Sequence, residues 1–94
     1  MTDYLVGTTV VLQAFYYSDS EAPLDPDALP TCEVHDSRGR VVQTNIPVEK
    51  VTTGQYQADF NTVGLTKGDY SYIFEALFDG KPDREGDRFT LTLK

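Results

Sequence analysis

Apolar and polar residues alternate along much of this chain with the period of a β-strand. In the stretch TTVVLQAFYY, the even-numbered positions from Val10 to Tyr16 are apolar, whereas the odd-numbered positions include Thr9 and Gln13. The stretch GQYQADF, residues 54–60, alternates in the same way. Successive side chains of a strand point to opposite faces, so each stretch predicts a strand with one buried face.

The stretch LTKGDYSYIFEALFDG predicts another long strand, because every second position from Tyr70 to Phe78 is aromatic except Ala76, which is also apolar. A helix would scatter them around its circumference. The following DGKPDREG, residues 79–86, is expected to form the loop of a hairpin. The chain is then expected to finish on a strand whose inward residues are Phe89, Leu91 and Leu93.

Proline and polar residues divide the rest of the chain into short pieces. The stretch SDSEAPLDPDALP, residues 18–30, contains three prolines and predicts a long exposed loop. TCEVHD, residues 31–36, reads as a strand, and VVQTNIPVEKV reads as two short pieces with a kink near Asn45 and Pro47. These pieces predict one all-β domain spanning residues 1–94, an antiparallel sandwich of about seven strands or a small barrel.

Charge and hydropathy exclude several classes of partner. The net charge of -7 opposes binding to nucleic acid or to an anionic membrane surface, since both are held by clustered lysine and arginine. The chain has no run of about 20 apolar residues, the length that a membrane-spanning helix needs. The opening MTDYLVGTTVV also lacks the features of a signal peptide. We therefore expect a soluble protein that binds neither nucleic acid nor membrane.

The sequence offers no set of residues for catalysis. His35 is the only histidine and Cys32 the only cysteine, so neither zinc binding nor a nucleophile and base pair is indicated. Cys32 alternates with Val34 and is expected to point inward, whereas His35 is expected to be an exposed strand residue. No phosphate-binding loop or serine hydrolase motif is present. We expect no enzymatic activity and no cofactor.

A short motif favours the sandwich over the barrel. The form Leu-x-x-Gly-Asp-Tyr in residues 65–70 resembles the tyrosine corner of immunoglobulin-like sandwiches, which makes Tyr70 the corner tyrosine. Tyr72 stands where antibody domains have a cysteine. With VGTTVVLQAFYY and GQYQADF, the motif resembles the immunoglobulin-like and fibronectin-III-like modules of tailed-phage virion proteins and bacterial surface proteins. The resemblance covers most of the chain and implies a fold rather than a partner.

In an immunoglobulin-like sandwich, the loops 18–30 and 79–86 lie at the same end. Their acidic residues would meet there and offer carboxylate oxygens to calcium, attract a basic partner, or form a solvated acidic end. The glycine and distal glutamate of an EF-hand loop are missing. The calcium candidates are Asp25, Asp27, Asp79, Asp83 and Glu85, with Asp19 and Glu21 nearby.

Apolar residues on the predicted outer faces are interface candidates. They are Val11, Phe15, Tyr17, Ile73 and Leu77. Contiguous exposed apolar area marks interfaces, although single exposed apolar residues are normal and a loop could cover these. The first three belong to one predicted sheet and the last two to the other, so the two groups would lie on opposite outer faces.

These observations and the resemblance predict a non-catalytic structural or binding subunit. The first hypothesis is a phage virion component, a capsid decoration protein or a neck or tail accessory protein, made in the host cytoplasm. It would contact other capsid or tail subunits or further copies of itself. The alternative is a bacterial cell-surface module that binds carbohydrate or protein through the acidic loops, with or without calcium.

Overall fold

The computed structural model describes residues 2–93, and these form eight strands and no helix. No helix within them could therefore cross a membrane. In chain order the strands are β1 (Thr2–Leu5), β2 (Thr9–Phe15), β3 (Thr31–His35), β4 (Val41–Gln43), β5 (Val48–Thr52), β6 (Gln55–Asn61), β7 (Gly68–Phe78) and β8 (Lys81–Thr92).

The strands form two sheets packed face to face. One sheet has five strands in the order β1-β8-β7-β3-β4, and the other has three in the order β2-β6-β5. This distribution of consecutive strands between sheets is that of an immunoglobulin-like sandwich. The predicted fold class is thus confirmed, with eight strands rather than about seven. One pairing departs from the antiparallel expectation, because β1 runs parallel to β8.

The predicted inward faces of β2 and β6 form the middle of the core. Val10, Leu12 and Ala14 of β2 are almost fully buried, as are the apolar residues of β6 opposite them. The aromatic centre is Phe89 of β8, whose ring stacks on Tyr70 at a centroid distance of 5.6 Å. Alternating apolar residues therefore hold the two sheets together without a disulfide.

The predicted loop 79–86 is wrong, because only Asp79 and Gly80 form the turn. Lys81 already pairs with Phe78, and β8 continues from there to Thr92. Both turn residues have positive φ, 52° for Asp79 and 76° for Gly80. Asp-Gly is the usual sequence of such a two-residue turn, whose twist matches that of the two strands it joins. The hairpin is consequently much longer than expected.

The sequence also predicted a kink near Asn45 and Pro47 and an inward-pointing Leu93, and only the kink is present. The kink between β4 and β5 is confirmed, and Asn45 within it has a φ of 52°. Leu93 was expected to point inward, but it follows the end of β8 and is 65% exposed.

The long loop 18–30 folds back over the end of the sandwich. Leu24 N donates to Tyr16 O at 3.1 Å, and Asp27 N donates to Leu77 O at 2.8 Å. Tyr16 N in turn donates to Gly54 O at 2.8 Å. Backbone hydrogen bonds thus connect the loop with both sheets.

Gly54 is a position where the chain passes too close for a side chain. A Cβ atom there would lie 2.7 Å from Tyr16 O and 3.0 Å from Leu24 N, and the φ of Gly54 is +78°. Gly39 has nearly the same φ, +79°, with no atom within 4 Å of such a Cβ. Comparing a substitution at Gly54 with one at Gly39 therefore separates the free-energy cost of a side chain at positive φ from the cost of the clash.

We expect Gly54→Ala to lower the free energy of unfolding by about 2–4 kcal/mol, since it combines an unfavourable φ with a clash against backbone atoms. Gly39→Ala should lower it by only about 1 kcal/mol. Urea unfolding followed by circular dichroism measures both. Equal losses in the two variants would show that the loop does not pack tightly on Gly54.

Candidate binding surface

Asp25, a calcium candidate, is a tether for the long loop. Its carboxylate accepts hydrogen bonds from Lys50 Nζ at 2.7 Å, Gly54 N at 2.8 Å and the Tyr56 hydroxyl at 3.0 Å. The Lys50 bond, followed by the Gly54 bond, holds the pKa of Asp25 below its usual value. The carboxylate oxygens of Asp25 are thus directed to donors of β5, β6 and the turn between them.

Asp27 fastens the same loop to the β7–β8 turn. Its two carboxylate oxygens accept from Asp79 N at 3.3 Å and from Gly80 N at 3.1 Å. The loop and the turn therefore share one end of the sandwich, as the sequence predicted. Asp83 and Glu85 lie on β8 instead of in a loop, and residues 2–93 contain no group of three or more His, Cys, Asp or Glu placed to hold a metal ion.

Three carboxylates lie in a row on the inner side of β8. Asp83, Glu85 and Asp87 stand directly opposite Ala76, Phe74 and Tyr72 of β7, whose side chains face the other sheet. We call Asp83, Glu85 and Asp87 the acidic row. All three are exposed, because the narrower three-stranded sheet does not extend over this part of β8.

The acidic row continues the alternation of the core along β8. Its odd-numbered positions are in phase with Phe89 and Leu91, which are buried further along the same strand. The row was not predicted from the sequence, because residues 79–86 were expected to form a loop. Two features of the sequence indicate the row: the Asp79-Gly80 pair, which is typical of a two-residue turn, and the odd-numbered spacing that the acids share with Phe89 and Leu91.

A buried hydroxyl without a partner lies beside the row. Tyr16 is only 2% exposed, and its hydroxyl has no hydrogen-bond partner among the described residues. Burial raises the pKa of Tyr16, and the charges of Asp83 and Glu85 raise it further. These two carboxylates therefore lie within electrostatic reach of the hydroxyl.

Two grooves border the acidic row. The edge groove, of about 300 Å³, lies between β2 and β8. Its lining residues are Gln13, Ala14, Phe15, Tyr72, Glu85, Gly86 and Asp87. The loop-end groove, of about 600 Å³, lies where the long loop meets the start of β8. Its lining residues are Tyr17, Ser18, Asp19, Leu24, Phe78, Lys81, Pro82 and Asp83.

On the outer face of the three-stranded sheet, the structure does not join the interface candidates into one patch. Val11 and Phe15 are both exposed there, but Gln13 lies between them, and they stand opposite Asp59 and Gln55 of β6. Each apolar side chain is therefore surrounded by polar neighbours.

The other interface candidates lie elsewhere. Tyr17 follows the end of β2, pairs with Pro23 and lines the loop-end groove. Ile73 is half-buried on the outer face of the five-stranded sheet, close to the ion pair that Arg84 and Glu75 form at 2.7 Å. Leu77 is exposed on that same face, near the turn end of β7.

Neither Cys32 nor His35 is arranged for chemistry. Cys32 is buried as expected, and burial raises the pKa of its thiol to about 12, which keeps the thiol protonated at neutral pH. His35 is half-buried rather than exposed, and its Nε2 lies 2.9 Å from Glu33 Oε1. Tyr70 donates its hydroxyl to Thr66 O at 2.7 Å, the hydrogen bond of a tyrosine corner.

We expect the Asp25 tether to fail in acid. A carboxylate whose pKa is lowered by folding stabilises the native state above its unfolded pKa of 3.8, and this contribution is lost as the pH falls through the lower folded pKa. Asp25→Asn should therefore be less stable than the wild type at neutral pH, with the difference shrinking at about pH 3. Urea unfolding at both pH values measures this.

Asp19→Asn is the control for that experiment, because it makes the same change of charge on the exposed part of the same loop. Its stability should follow the wild type more closely than that of Asp25→Asn at neutral pH. A deficit in Asp25→Asn that did not shrink in acid would contradict the tether.

We also expect Tyr16→Phe to raise the free energy of unfolding by about 1 kcal/mol, because it removes a buried hydroxyl that has no partner. Tyr70→Phe, which breaks the bond to Thr66 O, should lower it by about 1–2 kcal/mol. Thermal and urea unfolding compare the two variants. A destabilised Tyr16→Phe would mean that the hydroxyl is stabilised in the native state.

Comparison with known proteins extends the description of the fold. No protein-family model matches the chain, and no curated protein matches it by sequence. Among solved structures, the chain is similar to the crystal structure of CopC from Methylosinus trichosporium OB3b, with a TM-score of 0.64 and 16% sequence identity. The match covers 98% of this chain and 83% of that one. At this identity the likeness shows the β-sandwich fold alone.

Proposed function

We propose that this domain is a non-catalytic recognition module that binds a positively charged protein through the acidic row. The observation that carries the proposal is the position of Asp83, Glu85 and Asp87 on the inward side of a sheet, beside core residues yet open to solvent. Side chains on that side of a sandwich are ordinarily covered by the opposite sheet. An acidic surface in such a place favours a basic partner and speeds its approach.

The charges near the row support this direction. Within residues 2–93, neither Asp83 nor Glu85 forms an ion pair. The Asp87 carboxylate accepts a hydrogen bond from Arg88 N at 2.8 Å. Lys81 is the one cation on the same side of β8, and it lies at the turn end of the row. The row therefore keeps carboxylate oxygens free for cations of a partner.

A role as a phage virion subunit stays a prediction, as does a location in the virion or at the cell surface. That role was predicted from the resemblance, with the apolar residues of the two outer faces as its contacts, whereas Val11 and Phe15 are separated by polar residues and Ile73 is half-buried among charged ones. The acidic surface instead supports recognition of a protein, the alternative reading of the sequence.

We expect neutralising the acidic row to weaken binding of a cationic peptide. The probe is a fluorescent seven-residue peptide, Thr-Lys-Val-Lys-Val-Lys-Thr, followed by fluorescence anisotropy. The variant Asp83→Asn, Glu85→Gln, Asp87→Asn should raise its Kd by about tenfold or more, because three charge contacts are lost together.

The matched control is Asp3→Asn, Glu49→Gln, Asp59→Asn, which makes the same change of net charge at exposed sites outside the row and its two grooves. Its Kd should change by less than about twofold at physiological salt, where distant charges are screened. Equal weakening by the two triple variants would show that the net charge, and not the row, attracts the peptide, and the proposal would be wrong.

A further inference from the structure

Most of β8 has one unpaired edge. The strand pairs with β7 from Lys81 to Leu91, whereas on its other side β1 pairs only with the range 89–92. Residues 81–88 therefore present an open sheet edge. Such an edge is a template for a further strand, because its N–H and C=O groups have no partners within the sheet.

The turn determines which backbone groups point outward. In a two-residue hairpin, Phe78 and Lys81 form a hydrogen-bonded pair, and bonded pairs then recur at every second residue. The N–H and C=O groups of Arg84, Gly86 and Arg88 consequently point away from β7. The hydrogen bond from Val6 N to Thr92 O agrees with this assignment, because Thr92 is also an even-numbered residue of β8 and its C=O group points away from β7. The Arg88 N–H already donates to Asp87 Oδ1, so Arg84 and Gly86 carry the open N–H groups of this edge.

The two ends of this edge are defined. Pro82 has no N–H group, so a complete ladder cannot extend past Arg84 towards the turn. At the other end β1 already occupies the edge from Phe89 onward. The open portion is thus the range 84–88, which suits a short extended segment.

The side chains along this edge select the charge of such a segment. On the inner side, an added strand would lie beside the acidic row, where alternate lysine or arginine residues make favourable cross-strand pairs. The outer side carries Arg84, held by Glu75, and Arg88, which disfavour further cations on that side. Cations at every second position therefore fit this edge, whereas a continuous basic run does not.

The opposite wall of the edge groove is also a free strand edge. β2 is the outermost strand of its sheet, and Gln13 and Phe15 line the groove across from Glu85 and Asp87. Asp83 and Glu85 form no ion pair within residues 2–93. An inward-pointing ammonium group of an added strand would bring these two carboxylates a partner.

We propose that the edge groove receives an extended polypeptide segment with lysine or arginine at alternate positions, which adds to the 84–88 edge of β8 as a further strand. This inference rests on the proposed function and specifies its binding mode. A second copy of the chain does not fit, because pairing of two β8 edges would place one acidic row beside another, and each copy carries a net charge of -7.

Backbone methylation of the peptide tests strand addition separately from charge. Thr-Lys-Val-Lys-Val-Lys-Thr is compared with two versions that are N-methylated at alternate residues, one in each phase, which keep every charge. Strand addition uses backbone hydrogen bonds along one edge of the peptide. The peptide methylated on the N–H groups that face β8 should therefore bind about tenfold or more weakly than the unmodified peptide. The peptide methylated in the other phase should bind better than the first methylated peptide. A peptide with its three lysines consecutive should also bind more weakly than the alternating one.

Amide exchange of the protein gives an independent readout. Addition of the unmodified peptide should slow the exchange of the Arg84 and Gly86 N–H groups in the wild type. In the triple acidic-row variant it should leave the exchange rates of these two amides unchanged. If both methylated peptides bind like the unmodified one and these amides stay unprotected, strand addition is wrong while the recognition module stands. If the acidic-row variant binds the unmodified peptide as tightly as the wild type, or the wild type does not bind it, the recognition module itself is wrong.

Discussion

The two sheets of this domain are unequal, and this difference shapes the rest of the molecule. Five strands, two of them the long β7 and β8, face only three. Part of the inner side of the β7–β8 hairpin must therefore be covered by the long loop or be polar. The loop covers the turn end, where Tyr16 packs against Phe78 at a centroid distance of 5.4 Å. The edge next to β2 stays open and carries the acidic row.

Because the two sheets are unequal, acidic residues that look alike in the sequence have different roles in the structure. Asp25 and Asp27 serve the fold, because their carboxylates satisfy backbone N–H groups that would otherwise lack partners at the loop end. Asp83 and Glu85 serve no such role within the described residues. Some carboxylates of the domain thus attach its longest loop, and others make one sheet edge negatively charged.

The sequence was informative wherever one face of a strand is buried. The alternation in β2 and β6 predicted their inward residues, because those strands are covered along their whole length. It failed from Lys81 to Arg88, where both faces meet solvent and no apolar period remains. The Asp79-Gly80 pair and the phase of Phe89 and Leu91 indicate the side on which these acids lie, but the strand order is needed to show that the opposite sheet leaves them uncovered. The alternation likewise predicts that Tyr16 points inward, but not that its hydroxyl lacks a partner.

The parallel pairing of β1 with β8 has a mechanical consequence. Thr2 lies beside Phe89 and Leu5 beside Thr92, so the two strands overlap along their length and run in the same direction. A force that pulls Thr2 and Thr92 in opposite directions loads their hydrogen bonds in shear, and the bonds must fail together rather than one at a time. The open portion of β8 lies just outside this overlap, where such a load would not peel a bound strand away.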